Sequence, residues 1–392
     1  MSQSDRDASP DPPEIPFIDV KAPYRRLHGE INRRINAVLE HGNYVGGPEI
    51  DEFEAALAER AGAAHAVAVA SGTDALLIAL MADGIGPGDA VFVPAFTYAA
   101  CASAVAIAGA TPVFVDVLPD RFTLDPADLE RRIAELSRDG GPTPRAVMPV
   151  DLFGVPADYP AIDEIARRHG LFVLADAAQS LGASVGATPV GALASVTATS
   201  FYPTKTLSAF GDGGALLTDD AERAARWREI RMHGFPTGAK VEAVRVGVNG
   251  RLDTIQAAVL LAKLTIFDDE NLARDRFAEL YDHGLGSLAR EKAGGLVLPA
   301  RPGNVRRAWP HYPILVDERD RLRAALGAAG IATAVYYPRP LHLHRAYRHL
   351  GPAPGTLPVA EDLCERVLSL PLHPYLDDGA VARVCAAVVA AL

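Results

Sequence analysis

Between Ala64 and Thr218 the chain repeats one kind of unit, a short apolar or β-branched run separated from the next, in many cases, by a segment of helical character. The runs are Ala66–Ala70, Ala90–Val93, Pro112–Val115, Ala146–Val150, Phe172–Ala175, Val196–Ser200 and Ala215–Thr218. Near-continuous apolar runs of this length mark strands buried on both faces, and strands alternating with helices pack as a mainly parallel sheet. Leu129–Ser137 and Tyr159–His169 carry the mixed charged and apolar pattern of surface helices, the second ended by Gly170. The pattern predicts an α/β fold, a mainly parallel seven-stranded sheet between helices.

A chain of 392 residues also has room for a second, smaller unit. Thr254–Leu264 is a strong helix former, apolar nearly all round, and the amphipathic stretch Asp268–Leu288 carries the chain onward. Beyond it the rhythm is α+β: a strand at His311–Val316, a helix at Glu318–Ala329, a strand at Thr333–Tyr337 and a last helix at Asp378–Leu392. The predicted division is a disordered tail over residues 1–15, a large α/β domain over 16–268 and a small α+β domain over 269–392.

Composition narrows the partners. The net charge of −11 leaves no basic excess to neutralise phosphates, which argues against nucleic acid and acidic membrane surfaces. Ala90–Val115 lacks charge, but Pro94, Gly109 and Pro112 interrupt it, so it reads as strand, buried helix and strand rather than a membrane span. The polar, proline-rich start of the chain has no basic and apolar regions of a signal peptide. Cys101, Cys364 and Cys385 form neither a CxxC nor an even framework, which predicts free thiols, no metal site and a cytoplasmic protein.

The chemistry concentrates at strand ends. Lys205 follows the run Val196–Ser200 and precedes the glycine cluster Gly211-Asp-Gly-Gly214, where the chain can reverse cheaply. A lysine held there can lose solvent and have its pKa lowered, as an amine that condenses with an aldehyde requires. Upstream, the apolar run Leu171-Phe-Val-Leu-Ala ends in Asp176. A lysine for a Schiff base and an anion for a pyridinium nitrogen are the two groups a pyridoxal phosphate site needs. Ser71-Gly72-Thr73-Asp74 lies between a strand and a helical run, where free N–H groups bind phosphate or simply receive a cap. Tyr98 lies at another strand end, where a ring can stack on a flat cofactor, and Ser200 can add a hydroxyl to the phosphate cup.

Several motifs then occur in one order: Ser71-Gly-Thr-Asp-Ala75, Pro94-Ala-Phe-Thr-Tyr98, Asp176-Ala-Ala-Gln-Ser180, Ser200 to Lys205, Gly211-Asp-Gly-Gly214, Gly247-Val-Asn-Gly-Arg-Leu-Asp253 with Gln256-Ala-Ala258, and Ser369-Leu-Pro-Leu-His-Pro374. Together they resemble the DegT/StrS family of pyridoxal-phosphate sugar aminotransferases, from about Pro16 to the C-terminus. The resemblance runs to the branch that aminates nucleotide-linked 3-keto sugars, including 3-keto uronic acids. It implies a fold type I architecture and a homodimer with active sites shared at the subunit interface. It also implies a nucleotide-linked keto sugar as acceptor and glutamate as amine donor. By the same resemblance Lys205 is the Schiff-base lysine, Asp176 the partner of the pyridine nitrogen, Gln179 the group near the phenolic oxygen and Tyr98 the stacking aromatic. Gly72, Thr73 and Ser200 correspond to the phosphate cup, and Asn249 to the residue reaching the phosphate from the neighbouring subunit.

Departures from the family pattern fall around the substrate. Asp151 and Phe153 stand where His or Ser, and Tyr, are frequent, and Tyr336 precedes Tyr337-Pro338 where histidine is usual. Tyr336, Tyr337 and His342 are candidate substrate contacts. Arg245 is another: its guanidinium could pair with a sugar carboxylate in the neighbouring pocket, or serve as a diphosphate contact or surface arginine. Two other readings remain at this point. One is a related enzyme acting on a cyclitol or aromatic keto substrate, and the other a non-catalytic pyridoxal-phosphate-binding regulator. The lysine–aspartate pair counts against the regulator.

Overall fold

The computed structural model describes residues 14–392 apart from 237, 239, 240 and 292. The predicted tail therefore lies outside the described residues up to position 13, and at its end the expectation fails. Ile15 is buried, and it pairs with the segment around Ile331 through Ile15 N–H to Gly330 O at 2.9 Å and Ala332 N–H to Ile15 O at 3.1 Å. An isoleucine this apolar is held by the C-terminal core rather than left in solvent.

The strands in chain order are β1 (His65–Val69), β2 (Asp89–Pro94), β3 (Thr111–Val115), β4 (Thr143–Val147), β5 (Phe172–Asp176), β6 (Ser184–Val185), β7 (Thr188–Pro189), β8 (Val196–Ser200), β9 (Gly214–Thr218), β10 (Val305–Arg306), β11 (Tyr312–Leu315) and β12 (Val367–Leu370). Seven of them form one sheet in the order β1-β9-β8-β5-β4-β2-β3. All seven apolar runs of the sequence are in it. Five of its strands, β8, β5, β4, β2 and β3, pair parallel in that order, whereas β9 runs antiparallel to both β8 and β1. Antiparallel neighbours need no crossover helix. The β8–β9 connection can therefore stay a loop, and that loop carries Lys205.

Local chemistry accounts for the elements. The Tyr159–His169 helix starts at Asp158, whose carboxylate accepts from Ala161 N–H at 3.3 Å, and ends at Gly170 with φ 65°. Its last turn holds Arg167, Arg168 and His169, which complement the helix dipole. Where the sequence predicts a strand over Ala146–Val150, β4 begins and ends three residues earlier. Pro149 has no N–H for the ladder, and the chain beyond β4 is held by Asp176 N–H to Pro149 O at 2.9 Å and Asp151 N–H to Asp176 O at 3.0 Å. The predicted strand over Thr333–Tyr337 does not form. Only Ala334 bridges Ser369 of β12, after which Tyr336 and Tyr337 turn into aromatic contacts with His311 and Phe96 and Pro338 ends any pairing.

Among the described residues three cores pack on the sheet. The largest sets the Gly72–Ala82 and Ala100–Ile107 helices and Trp227 against it, a second faces Leu129, Ile133, Ile162 and Ile165, and a third packs the Pro48–Ala61 and Thr254–Leu264 helices on β1 and β9 around Phe53, Leu260 and Leu217. A separate core joins the Phe267–Arg290 and Asp378–Ala391 helices to β11 and β12 around Tyr281, Trp309 and Tyr312. Trp309 stacks on Tyr312 with ring centroids 5.7 Å apart, and the guanidinium of Arg307 lies 3.7 Å from the Trp309 ring centre.

Candidate active site

In an open α/β sheet, ligands gather outside the carboxyl ends of parallel strands, where loops leave the sheet on one side. That edge here collects Ser71–Thr73 after β1, Thr97 and Tyr98 after β2, Val150 after β4, Asp176 at the end of β5, and Ser200 with Lys205 at and after β8. They line a cavity of about 430 Å³ that is closed from the C-terminal part of the chain by His311, Tyr336 and Tyr337.

At one end of the cavity the Gly72–Ala82 helix begins. Ser71 caps it, its hydroxyl oxygen accepting from Asp74 N–H at 3.0 Å and its hydroxyl donating to Asp74 Oδ2 at 2.9 Å. The N–H groups of Gly72 and Thr73 have no acceptor within the helix, as in any first turn. A Cβ at Gly72 would stand 2.8 Å from Ser200 Cβ, so the helix start and the end of β8 close to this distance only with glycine there. The result is a small cup of N–H and hydroxyl groups suited to a phosphate.

Asp176 and Lys205 stand on the same cavity wall. Asp176 is 7% exposed. Its Oδ1 accepts from Ala178 N–H at 3.0 Å and its Oδ2 accepts from the Cys101 thiol at 3.2 Å. Burial raises its pKa, while the Ala178 N–H, the Cys101 thiol and the Lys205 charge pull it back down. Burial lowers the Lys205 amine, and Asp176 opposes that shift. A half-buried amine with a depressed pKa beside a buried carboxylate has the properties of a carbonyl-condensing lysine with its counter-anion.

Gln179 is fixed at both ends of its amide, accepting from Phe153 N–H at 2.9 Å and donating to the Tyr337 hydroxyl at 3.3 Å. Tyr98 stands 61% exposed at the cavity mouth, its ring 6.0 Å from that of Tyr337. Tyr336 packs on His311 at 4.7 Å between ring centres. Asp151 lies below the floor, accepting from Ala157 N–H at 2.9 Å, Tyr159 OH at 2.8 Å and Ser180 OH at 2.6 Å. Burial pushes its pKa up to about 7.

Of the residues singled out in the sequence, Gly72, Thr73, Tyr98, Asp176, Gln179, Ser200, Lys205, Tyr336 and Tyr337 meet at this cavity. Three do not. His342 is fully buried, its Nε2 3.2 Å from Glu361 Oε1, and packs against Phe114. Arg245 pairs with Glu229 at 2.5 Å, and Asn249 is exposed and bridges Met232. Sequence reasoning in turn passed over Thr97, Cys101, Tyr202 and His311. His311 lies just before β11, far along the chain from the other groups, and burial holds its pKa down to about 3, so the ring is neutral at ordinary pH. No spacing motif announces it; a histidine heading an apolar strand is the one signal it leaves.

The sheet, the strand-edge cavity and the lysine–aspartate pair that lines it define a protein built to hold a phosphorylated pyridine aldehyde. The chain belongs to the DegT/DnrJ/EryC1/StrS aminotransferase family, whose model matches residues 25–389, and this family uses pyridoxal phosphate. It is 43% identical over 373 residues to the UDP-2-acetamido-2-deoxy-3-oxo-D-glucuronate aminotransferase of Pseudomonas aeruginosa, covering 95% of this chain and 99% of that one. It is 44% identical over 376 residues to the dTDP-3-amino-3,4,6-trideoxy-alpha-D-glucose transaminase of Streptomyces venezuelae, covering 96% of each. A solved family member from Brucella abortus superposes with a TM-score of 0.92 at 47% identity, covering 96% of this chain and 99% of that one.

Proposed function

We propose that the protein transfers an amino group from glutamate to C3 of a nucleotide-linked keto sugar, in the cytoplasm, as a homodimer with shared active sites. The observation that carries the reading is the placing of Lys205 and Asp176 on one cavity wall with the Gly72–Thr73–Ser200 cup on the same cavity. The bound pyridoxal phosphate supplies the carbonyl that accepts the amine and the ring that takes up electrons. Gly72, Thr73 and Ser200 would hold its phosphate, Tyr98 would cover its ring, and Gln179, held by Phe153 and Tyr337, would stand by its phenolic oxygen. Asp176 keeps a proton on the pyridine nitrogen. Lys205, its amine lowered by burial, would take the proton from the donor Cα as base and give it back as acid.

In the first half glutamate would give up its amine and leave as 2-oxoglutarate, one water supplying the keto oxygen; in the second the keto sugar would take up the amine and release one water, so that no water is consumed overall. Both relatives are named for a nucleotide-linked sugar with an oxo or amino group at carbon 3, which supports that position here. Among the described residues no helix is long and apolar enough to cross a membrane. Residues 16–268 would form the cofactor domain and 269–392 the smaller one, with Asn249 reaching the partner's cup. Arg245 can meet a sugar carboxylate only by giving up Glu229. The test is a panel of nucleotide-linked 3-amino and 4-amino sugars, neutral and uronate, run in reverse with 2-oxoglutarate. Glutamate formation from the 3-amino members is expected; formation from the 4-amino members alone, or from none, overturns the reading.

A further inference from the structure

The reaction proposed above needs the Asp176 carboxylate to stay charged and correctly turned, and among the described residues no hydrogen bond or ion pair to Lys205 fixes its plane. Helix Ala100–Ile107 supplies the missing contact from underneath. Cys101, in its first turn, is fully buried and its Sγ lies 3.2 Å from Asp176 Oδ2. Behind it stands Thr97, one helical turn earlier in the chain, buried and lining the same cavity, and its side chain pulls the thiol pKa down against the effect of burial. Oδ1 is already held by Ala178 N–H, so the two oxygens are gripped from opposite sides.

We propose that Cys101, backed by Thr97, is the positioning residue for Asp176, its thiol donating to Oδ2 so that the carboxylate stays charged and faces the pyridine nitrogen. The inference rests on the functional reading above. The groups facing Asp176 are Lys205, Cys101 and the Ala178 N–H, with the Asp151 carboxyl and the Tyr337 and Tyr159 hydroxyls farther round. Burial and the neighbouring carboxylate raise the Cys101 thiol well above its ordinary pKa, so it remains a donor and does not compete as an anion. A thiol is a weak donor. It can therefore set the direction of Oδ2 while leaving most of that oxygen's accepting strength for the ring nitrogen. A hydroxyl in its place would keep the direction and take more of the strength. The same burial makes Cys101 a poor nucleophile, which separates this role from thiol chemistry.

The S–H stretching band tests the contact without any turnover. In the infrared difference between wild type and Cys101→Ala apoprotein, the Cys101 band should lie below that of a thiol lacking an acceptor. It should move upward in Asp176→Asn. With cofactor bound, the single-turnover reaction with glutamate should slow about ten-fold in Cys101→Ala, the loss of one hydrogen bond to a charged acceptor. Cys101→Ser should stay within about three-fold of wild type, and Thr97→Val should fall between the two. A band that ignores Asp176→Asn overturns the proposal. So does a serine variant as slow as the alanine one at equal melting temperature, because packing alone would then explain the loss. A wild-type protein that binds no pyridoxal phosphate would overturn the functional reading instead, and the infrared arm would still decide the hydrogen bond.

Discussion

Replacing Asp176 by asparagine removes a charge with almost no change of volume, so its effect can be worked from the hydrogen bonds. Both oxygens accept: Oδ1 from Ala178 N–H at 3.0 Å and Oδ2 from the Cys101 thiol at 3.2 Å. An amide must put its NH₂ against one of those donors. Facing Cys101 costs less, because the thiol is the weaker donor and can turn away. The side chain then presents N–H groups to the cavity where a pyridine nitrogen needs an acceptor. A hydrogen bond to a charged group contributes about 1.5–3 kcal/mol, and the low local dielectric carries the loss to the upper end of that range. The first half-reaction with glutamate, followed by stopped-flow absorbance, should slow roughly 10²-fold or more. The melting temperature should stay within a few degrees, since no cavity opens. The Lys205 amine should titrate lower in the variant apoprotein, because Asp176 is the charge that raises it. A rate within a few-fold of wild type, with the cofactor bound, would refute the role assigned to Asp176.

Other expectations follow from single contacts. Gly72→Ala places a Cβ 2.8 Å from Ser200 Cβ, which must push the helix start from β8; overpacking of this kind costs about 1–3 kcal/mol. Pyridoxal phosphate affinity, measured by fluorescence quenching, should fall about ten-fold or more, and unchanged affinity would remove the cup. Lys205→Ala subunits mixed with Asn249→Ala subunits should recover one working site per heterodimer, and no recovery in verified heterodimers would place Asn249 outside the partner's site. Arg245→Met should raise KM for a keto-uronate far more than for the matching neutral sugar. Equal effects would leave Arg245 as the partner of Glu229 and no more.

Much of this was legible in the sequence because parallel strands buried on both faces write themselves as continuous apolar runs. The seven runs found their places for that reason, and Thr254–Leu264 has the bounds its composition predicts. What could not be read depends on contacts between distant segments. Nothing local in Thr333–Tyr337 says that its tyrosines will leave the ladder to pack on His311, or that Ile15 will pair with a segment more than three hundred residues away. The aspartate was visible because it ends an apolar run, and the lysine because it follows one and precedes a glycine cluster. Cys101 was read as a buried helical thiol, which it is, but its distance to Asp176 exists only once β2 and β5 lie in one sheet. His342 went the other way. It stands in a chemically suggestive stretch, yet its Nε2 faces Glu361, in the segment that also holds Gly355 N–H, well inside the protein.

The central claim is that Lys205 bonds covalently to the cofactor. Reduction of the pyridoxal-phosphate-loaded protein with borohydride, followed by digestion and mass analysis, tests it directly. The main rival is Lys263, buried beside Ser208 with its amine lowered to about 8. The account predicts a single phosphopyridoxyl label on the peptide carrying Ser200 to Lys205, lost in Lys205→Ala. A label on the Lys263 peptide, or one that survives Lys205→Ala, would contradict it.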